Sequence, residues 1–265
     1  MTRFCLALVL FAAIAPAAMA ADDETARAER WNDLRQSFFG QRPILEGSDK
    51  ISLDAPDRAM DAALVPVTIN VANPSQVKAV YLLIDDNPAP LAAHVAFGPA
   101  GDPRSLKLRV RVNQYTYIHA VEETLTGELF ATRRFVKAAG GCSAPAGSYD
   151  PAALADIGRM KLRASEQSSG DGSVEAQLLV RHPNFNGMQM DQVTRLYTPA
   201  RFLKTIEATY NNEIVFRLET DISMATDPAI TFGVRTSQKG KLAVSARDSS
   251  GALFESSFDL GPQGS

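Results

Sequence analysis

Cysteine is scarce in this chain, which has two cysteines among its 265 residues. Cys5 lies in the apolar N-terminal segment, and Cys142 lies near the middle of the sequence. A structural zinc site needs several cysteine or histidine ligands, and two cysteines so far apart do not supply them. If the N-terminal segment is removed, one cysteine remains and no internal disulfide can form. An unpaired cysteine in an exported protein suggests an intermolecular bond or a thiol kept for reaction.

Long apolar runs and blocks of basic residues are also missing beyond the N-terminus. The 27 lysines and arginines are outnumbered by 30 acidic residues, and the sequence pI is about 5.7. A membrane-spanning helix needs about 20 consecutive apolar residues. Binding to nucleic acid or to an anionic membrane surface requires a basic patch. We therefore expect neither nucleic acid nor a membrane among the partners.

The first 20 residues have the pattern of a cleaved secretory signal. Arg3 precedes an apolar stretch that ends in Ala18-Met19-Ala20, and the acidic pair Asp22-Asp23 follows. A positive start, roughly 7–15 apolar residues and an A-x-A site define such signals. The alternative is a buried N-terminal helix. We expect export, with cleavage after Ala20.

A single helix is predicted over residues 22–39. Trp31, Leu34 and Phe38 follow one another at helical spacing, which indicates one apolar face. Gly40 and Pro43 then supply a C-terminal stop. We expect this face to pack on its own domain and not on a partner.

The remainder of the chain has the pattern of an all-β protein with two immunoglobulin-like β-sandwich domains, the first carrying the N-terminal helix. Short segments rich in branched residues alternate with turn signals such as 85–88, 126–127, 211–212 and 248–251. The expected organisation is a signal peptide at 1–20, a first sandwich at 21–136, a linker at 137–157 and a second sandwich at 158–265. The clearest strand is 106–112, where apolar residues alternate with Lys107, Arg109 and Arg111. That alternation predicts one buried face and one solvent face, with the three basic residues in solvent.

Cys142 lies in a segment of small residues, 137–148, which we call the cysteine arm. No bulky side chain is present to pack, and Gly140 and Gly141 loosen the backbone before the cysteine. These features favour an exposed, reactive thiol, with Gly140, Gly141 and Ser143 as the surrounding arm. The alternative is a buried, inert cysteine that acts as a small apolar residue.

Motifs for catalysis or for cofactor binding are missing. The sequence contains no nucleophile elbow, no phosphate-binding loop and no dinucleotide fingerprint. His94, His119 and His182 lie far apart, so no pair has the spacing of metal ligands on one element. We therefore assign no catalytic residue, no metal and no cofactor. A cysteine hydrolase whose histidine meets Cys142 only in space stays open.

Several short motifs together resemble a known pair of proteins, the sulfur carrier subunit SoxY followed by its partner SoxZ. The SoxY-like motifs are residues 31–34, 39–43, 65–67, 85–88 and 136–142. The SoxZ-like motifs are residues 178–183, Gly187, 206–212, and 241–248 followed by Gly251. The order along the chain is similar to that of fused SoxYZ-like carriers associated with quinoprotein dehydrogenases.

This resemblance implies a periplasmic carrier that is not itself an enzyme. Cys142 would hold a sulfur substrate such as a thiosulfate-derived group, and the sandwiches would present it to enzymes of a Sox-like or quinoprotein dehydrogenase system. A thiol pKa near an ordinary value of about 8.5 would suit such a carrier. In SoxY the cysteine lies near a free C-terminus, whereas here Ser143-Ala144-Pro145 and a whole domain follow it. The alternatives are a non-carrier accessory module for a quinoprotein dehydrogenase and a thiol-dependent enzyme.

Overall fold

The computed structural model describes residues 15–144, 154–168, 172–191, 195–236 and 239–261. The chain divides after Gly40 into two compact units, a helical unit and a larger body. The helix α1 spans Ala15–Phe39. It begins seven residues before the expected start at 22, within the segment interpreted as a signal. Its predicted end is confirmed, because Gly40 has a φ of 63° and donates its N–H to Gln36 O at 3.0 Å.

The body is built from strands, as the alternating pattern predicted. Those in the described residues are β1 (Ile44–Glu46), β2 (Ile51–Asp54), β3 (Val65–Val71), β4 (Val77–Ile84), β5 (Leu91–Phe97), β6 (Gly101–Val110), β7 (Thr116–Thr124), β8 (Leu129–Val136), β9 (Met160–Ser168), β10 (Ser173–Val180), β11 (Leu203–Tyr210), β12 (Glu213–Thr220), β13 (Ala229–Arg235), β14 (Gly240–Asp248) and β15 (Leu253–Leu260). A short 3-10 helix, Pro74–Gln76, precedes β4.

Two sheets face each other across one apolar core. The larger sheet has the order β1-β8-β7-β4-β5-β12-β11-β14-β15, and the smaller has the order β2-β3-β6-β13-β10-β9. Inward residues alternate with outward ones, as in β3, where Val65, Val67 and Ile69 are all buried. The predicted all-β, sandwich-type fold with an N-terminal helix is confirmed.

Each sheet continues from the first half of the chain into the second. In the larger sheet β5 pairs antiparallel with β12, and in the smaller sheet β6 pairs antiparallel with β13. Gly101 and Gly233 lie at these joints, where a Cβ on Gly101 would overlap the carbonyl oxygen of Val215. One buried apolar cluster includes Val95 and Leu106 from the first half together with Phe216 and Phe232 from the second. The two halves therefore stabilise each other through backbone pairing and a common core.

Turn chemistry matches the sequence prediction closely. Asn211 and Asn212 both have positive φ, at 49° and 68°, as a two-residue hairpin turn requires. Gly127 and Gly251 adopt φ of 87° between their strands. Much of the predicted linker, residues 145–153, lies outside the described residues.

The continuous sheets predict that the two halves stay together when the chain between them is cut. A protease site inserted between residues 145 and 153 should yield two fragments that co-elute as one species on native size exclusion. Co-elution should fail when Gly101→Val is added, because its side chain would overlap the carbonyl oxygen of Val215. Separate elution of the fragments without that substitution would contradict the observed pairing of β5 with β12.

Candidate functional site

The described part of the cysteine arm, residues 137–144, is bonded to the body. Lys137 follows β8 and forms a parallel bridge with Arg58. Its N–H donates to Asp57 O at 2.9 Å, and its carbonyl accepts from Ala59 N at 3.1 Å. The arm therefore leaves the sheet along the loop that precedes β3.

A tight turn at Gly140 then directs the chain inward. Gly140 has a φ of 78°, a conformation that L side chains rarely adopt. Its N–H donates to Asn113 O at 2.7 Å. Its carbonyl accepts from Ser143 N at 3.2 Å and from Ala144 N at 2.8 Å. Ser143 stays exposed on the outside of this turn.

Gly141 lies in a space that admits no side chain. Its N–H donates to Val112 O at 3.1 Å, and Val112 N donates in turn to Ala62 O at 2.8 Å. A Cβ on Gly141 would overlap Ala62 O and would lie 2.5 Å from Val112 O. Both obstacles are backbone atoms, so they cannot rotate away. The glycine permits the close approach that brings Cys142 into the body.

Cys142 is fully buried, with 0% of its surface exposed. Its carbonyl accepts a hydrogen bond from Asn186 Nδ2 at 2.6 Å, so a residue of the second half holds the arm in place. The expectation of an exposed thiol on a loose arm is therefore wrong for this structure. The small residues that suggested looseness instead allow close packing of backbone on backbone.

Burial raises the pKa of the Cys142 thiol to about 11, and the positive charge of Arg111 opposes this rise without overcoming it. The expectation of an ordinary thiol pKa is thus also wrong for the docked arm. Relative to an ordinary pKa of 9.0, the thiolate fraction near neutral pH falls by about 100-fold. Since the thiolate is the nucleophile, docked Cys142 reacts only slowly near neutral pH.

Arg111 is the charged residue that acts on Cys142, and it is only 2% exposed. The guanidinium Nη2 donates to Thr226 Oγ1 at 2.7 Å and to Asn184 O at 3.3 Å. Its predicted solvent position is wrong, because β6 ends at Val110 and the alternation ends with it. Arg109, still within the strand, is exposed as predicted. Burial also lowers the pKa of Arg111.

Asn87 fixes the backbone on either side of Val112, the residue after Arg111. Its Nδ2 donates to Arg111 O at 2.7 Å and to Ser223 Oγ at 2.8 Å. Its Oδ1 accepts from Asn113 N at 2.9 Å. The turn signal at 85–88 marked this asparagine in the sequence, but no local pattern indicated its distant partners.

The segment after β10 covers the site from the second half. Asn184 is fully buried and donates its Nδ2 to Ala225 O at 2.8 Å, while its Oδ1 accepts from Leu203 N at 3.0 Å. Asn186 lies two residues further on and binds Cys142 O. Sequence reasoning missed both asparagines. Their signal was the pair of asparagines on either side of Phe185, directly after His182-Pro183, where exposed turn residues would be the ordinary interpretation.

The three histidines are each matched with a different carboxylate. His94 lies 3.4 Å from Glu219, His119 lies 3.1 Å from Asp85, and His182 lies 3.5 Å from Asp248. Burial lowers the pKa of His182, which favours its neutral form. The described residues contain no cluster of three or more potential metal ligands. Among them there is also no helix long and apolar enough to cross a bilayer.

Sequence comparison identifies a family for each half. Residues 35–142 match sulfur oxidation protein SoxY, and residues 160–259 match sulphur oxidation protein SoxZ. The first match ends on Cys142 itself. The class is therefore that of the carrier proteins of sulfur oxidation. The chain belongs to the SoxY and SoxZ families in tandem, as a fused SoxYZ-like sulfur carrier, and the predicted resemblance is confirmed.

Solved structures provide two further similarities. The sulfur carrier protein SoxY from Chlorobium limicola f thiosulfatophilum is 26% identical, with a TM-score of 0.39; the match covers 44% of this chain and 99% of that chain. A superoxide reductase (neelaredoxin) from Ignicoccus hospitalis is 14% identical, with a TM-score of 0.30; the match covers 33% and 78% respectively. No curated protein matches the chain.

Proposed function

We propose that this protein carries a sulfur substrate covalently on Cys142 Sγ and presents it to partner enzymes of sulfur oxidation, without turnover of its own. One observation carries the proposal: the SoxY match ends on Cys142, which is the free cysteine of the described residues. A thiol forms a sulfur–sulfur bond and releases it again by exchange. These properties are what a covalent sulfur carrier needs.

Delivery requires the arm to leave the docked position. Beyond Lys137, the described contacts that hold the cysteine in place include the hydrogen bonds of Gly140, Gly141 and Cys142 to Asn113, Val112 and Asn186. Each such bond contributes roughly 0.5–1.5 kcal/mol net. A partner that binds the released arm more tightly than the body does can therefore draw it out. Release exposes the thiol and returns its pKa toward the ordinary value.

A thiol-dependent enzyme is the less favoured function. An activated cysteine nucleophile has a depressed pKa, set by a neighbouring base or cation. Burial here raises the pKa of Cys142 to about 11, and the charge beside it belongs to Arg111. A buried arginine stays protonated and cannot act as the general base.

We further propose that the protein works in the periplasm, after cleavage behind Ala20. This rests on the signal-like pattern of the first 20 residues. Enzymes of a Sox-like system are the proposed partners, and a quinoprotein dehydrogenase system is a further candidate. Mass measurement of the periplasmic protein from its own host would show whether the mature chain begins at Ala21.

Intact-mass analysis under non-reducing conditions tests the carrier function. Protein isolated during growth on a reduced sulfur compound should carry added sulfur or sulfonate groups that dithiothreitol removes. Cys142→Ser should carry none and should fail to support sulfur oxidation. Ser143→Ala is the matched control, because Ser143 is exposed on the same turn, and it should load normally. Adduct-free protein, together with a fully functional Cys142→Ser variant, would favour the accessory-module alternative instead.

A further inference from the structure

Arg111 has a hydrogen-bond donor that the described structure leaves unused. The residue is only 2% exposed, yet its Nε has no hydrogen-bond partner among the described residues. The partners of its Nη2, Thr226 Oγ1 and Asn184 O, are both neutral. Buried guanidinium groups ordinarily pair with a carboxylate, because a desolvated charge without a counter-ion is strongly destabilising. Arg111 has no such carboxylate within hydrogen-bond reach in the described part of the chain.

Two groups act electrostatically on Arg111, and Cys142 comes before Asp61 in strength. Asp61 is exposed and its Oδ1 accepts from Ala63 N at 2.8 Å, so solvent screens much of its charge. The effect of Cys142 requires its thiolate, whereas an unmodified thiol is neutral near pH 7. At that pH the docked site thus holds a buried cation near a side chain that has no charge of its own.

Backbone contacts fix this juxtaposition from two directions. Gly141 N binds the carbonyl of Val112, the residue after Arg111. On the other side, Asn184 O accepts from the guanidinium while Asn186 Nδ2 binds Cys142 O. One short segment of the second half therefore holds both the cation and the cysteine.

We propose that Arg111 is the binding residue for the negatively charged end of a sulfur group carried on Cys142, so that the docked site selects anionic adducts. A group that ends in a sulfonate or a persulfide anion would supply the missing counter-ion and would accept from the free Nε. Charge-assisted hydrogen bonds of this kind are roughly twice as strong as neutral ones. A neutral adduct on the same sulfur would gain nothing from Arg111. This inference rests on the proposed carrier function and names the charge class of its cargo.

Two small reagents create a matched pair of adducts. Attack of the Cys142 thiolate on tetrathionate breaks its central sulfur–sulfur bond, leaves a thiosulfate-derived anionic group on Sγ and expels thiosulfate. Attack on methyl methanethiosulfonate leaves a neutral methylthio group and expels methanesulfinate. Each reaction forms one disulfide bond and breaks one sulfur–sulfur bond. No external oxidant is needed, and the carrier is loaded without its biological partners.

The measurement is the rate at which dithiothreitol removes each adduct, followed by intact mass. Arg111→Gln should speed the release of the anionic adduct by about 10-fold or more, as expected for loss of a charge-assisted bond. It should change the release of the methylthio adduct far less, and Arg111→Lys should recover part of the effect. Arg109→Gln is the matched control, since Arg109 precedes Arg111 by two residues and is exposed. It should alter neither rate.

Amide hydrogen exchange on the unmutated protein provides a second readout that does not depend on a variant folding. Exchange at Gly140, Gly141 and Cys142 should be slower with the anionic adduct than with the methylthio adduct. Equal protection by both adducts would overturn the proposal, as would equal acceleration of both releases by Arg111→Gln. Because the adducts are installed chemically, either failure would leave the carrier function to be judged separately, by the masses found on protein from its host.

Discussion

Gly141→Ala should expose the Cys142 thiol and raise its rate of alkylation by iodoacetamide at neutral pH by on the order of 100-fold or more. The new methyl group would overlap the carbonyl oxygen of Ala62 and crowd that of Val112. Both acceptors belong to backbone held by its own hydrogen bonds, so the arm has to move instead. Once released, the thiol regains solvation and an ordinary pKa, and it is sterically accessible.

Neighbouring variants make this result interpretable. Gly140→Ala strains a φ of 78°, but the nearest atom to its Cβ is Ser143 Oγ at 3.8 Å. The expected penalty is roughly 1–2 kcal/mol, which corresponds to a smaller increase of about 5- to 30-fold. Ser143→Ala should leave the rate unchanged. Thermal unfolding of each variant should stay close to that of the unmutated protein, because the arm lies outside the sheets. Slow alkylation of a folded Gly141→Ala variant would refute the docked position of the arm.

The fold was largely predictable because its signals are local. Alternation in β3 and most of β6, and turn residues such as Gly127 and Asn211, depend on neighbours in sequence. The continuation of both sheets across the halves was not predictable in this way. β5 and β12 are separated by more than a hundred residues, and no local pattern in either strand indicates that the two pair with each other.

The sequence singled out Cys142 as the candidate site, and the structure contradicts the exposed environment expected for it. Scarcity of cysteine singled out Cys142, and the family match ends on it. Its burial escaped prediction because glycine supports two opposite conclusions, a flexible chain or a close approach of backbones. Only the positions of Ala62 and Val112 decide between them. Arg111 was misplaced for a related reason, since periodicity cannot show where a strand ends.

The same burial predicts an unusual pH dependence for the unmutated protein. The rate of alkylation should continue to rise from pH 9 to beyond pH 10, whereas Gly141→Ala should level off near pH 9. The pKa of the docked thiol is raised to about 11 from an ordinary value of 9.0. Docking therefore favours the protonated thiol, and the free energy that favours the docked arm over the released arm is fully present below pH 9. This free energy falls as pH rises from 9 toward 11, by roughly 3 kcal/mol in all.

The unmutated protein and the Gly141→Ala variant should give curves of different shape. With an easily opened arm, the reagent captures thiolate from the open state, and the logarithm of the rate climbs with pH until the closed form no longer dominates. In Gly141→Ala the open form dominates throughout, so the curve follows an ordinary thiol titration. A short peptide with the sequence of residues 137–144 serves as the reference for an undocked cysteine. If the unmutated protein levelled off with the peptide, Cys142 would be solvated in the resting state. The docked arm would then not be the resting state of the unloaded protein.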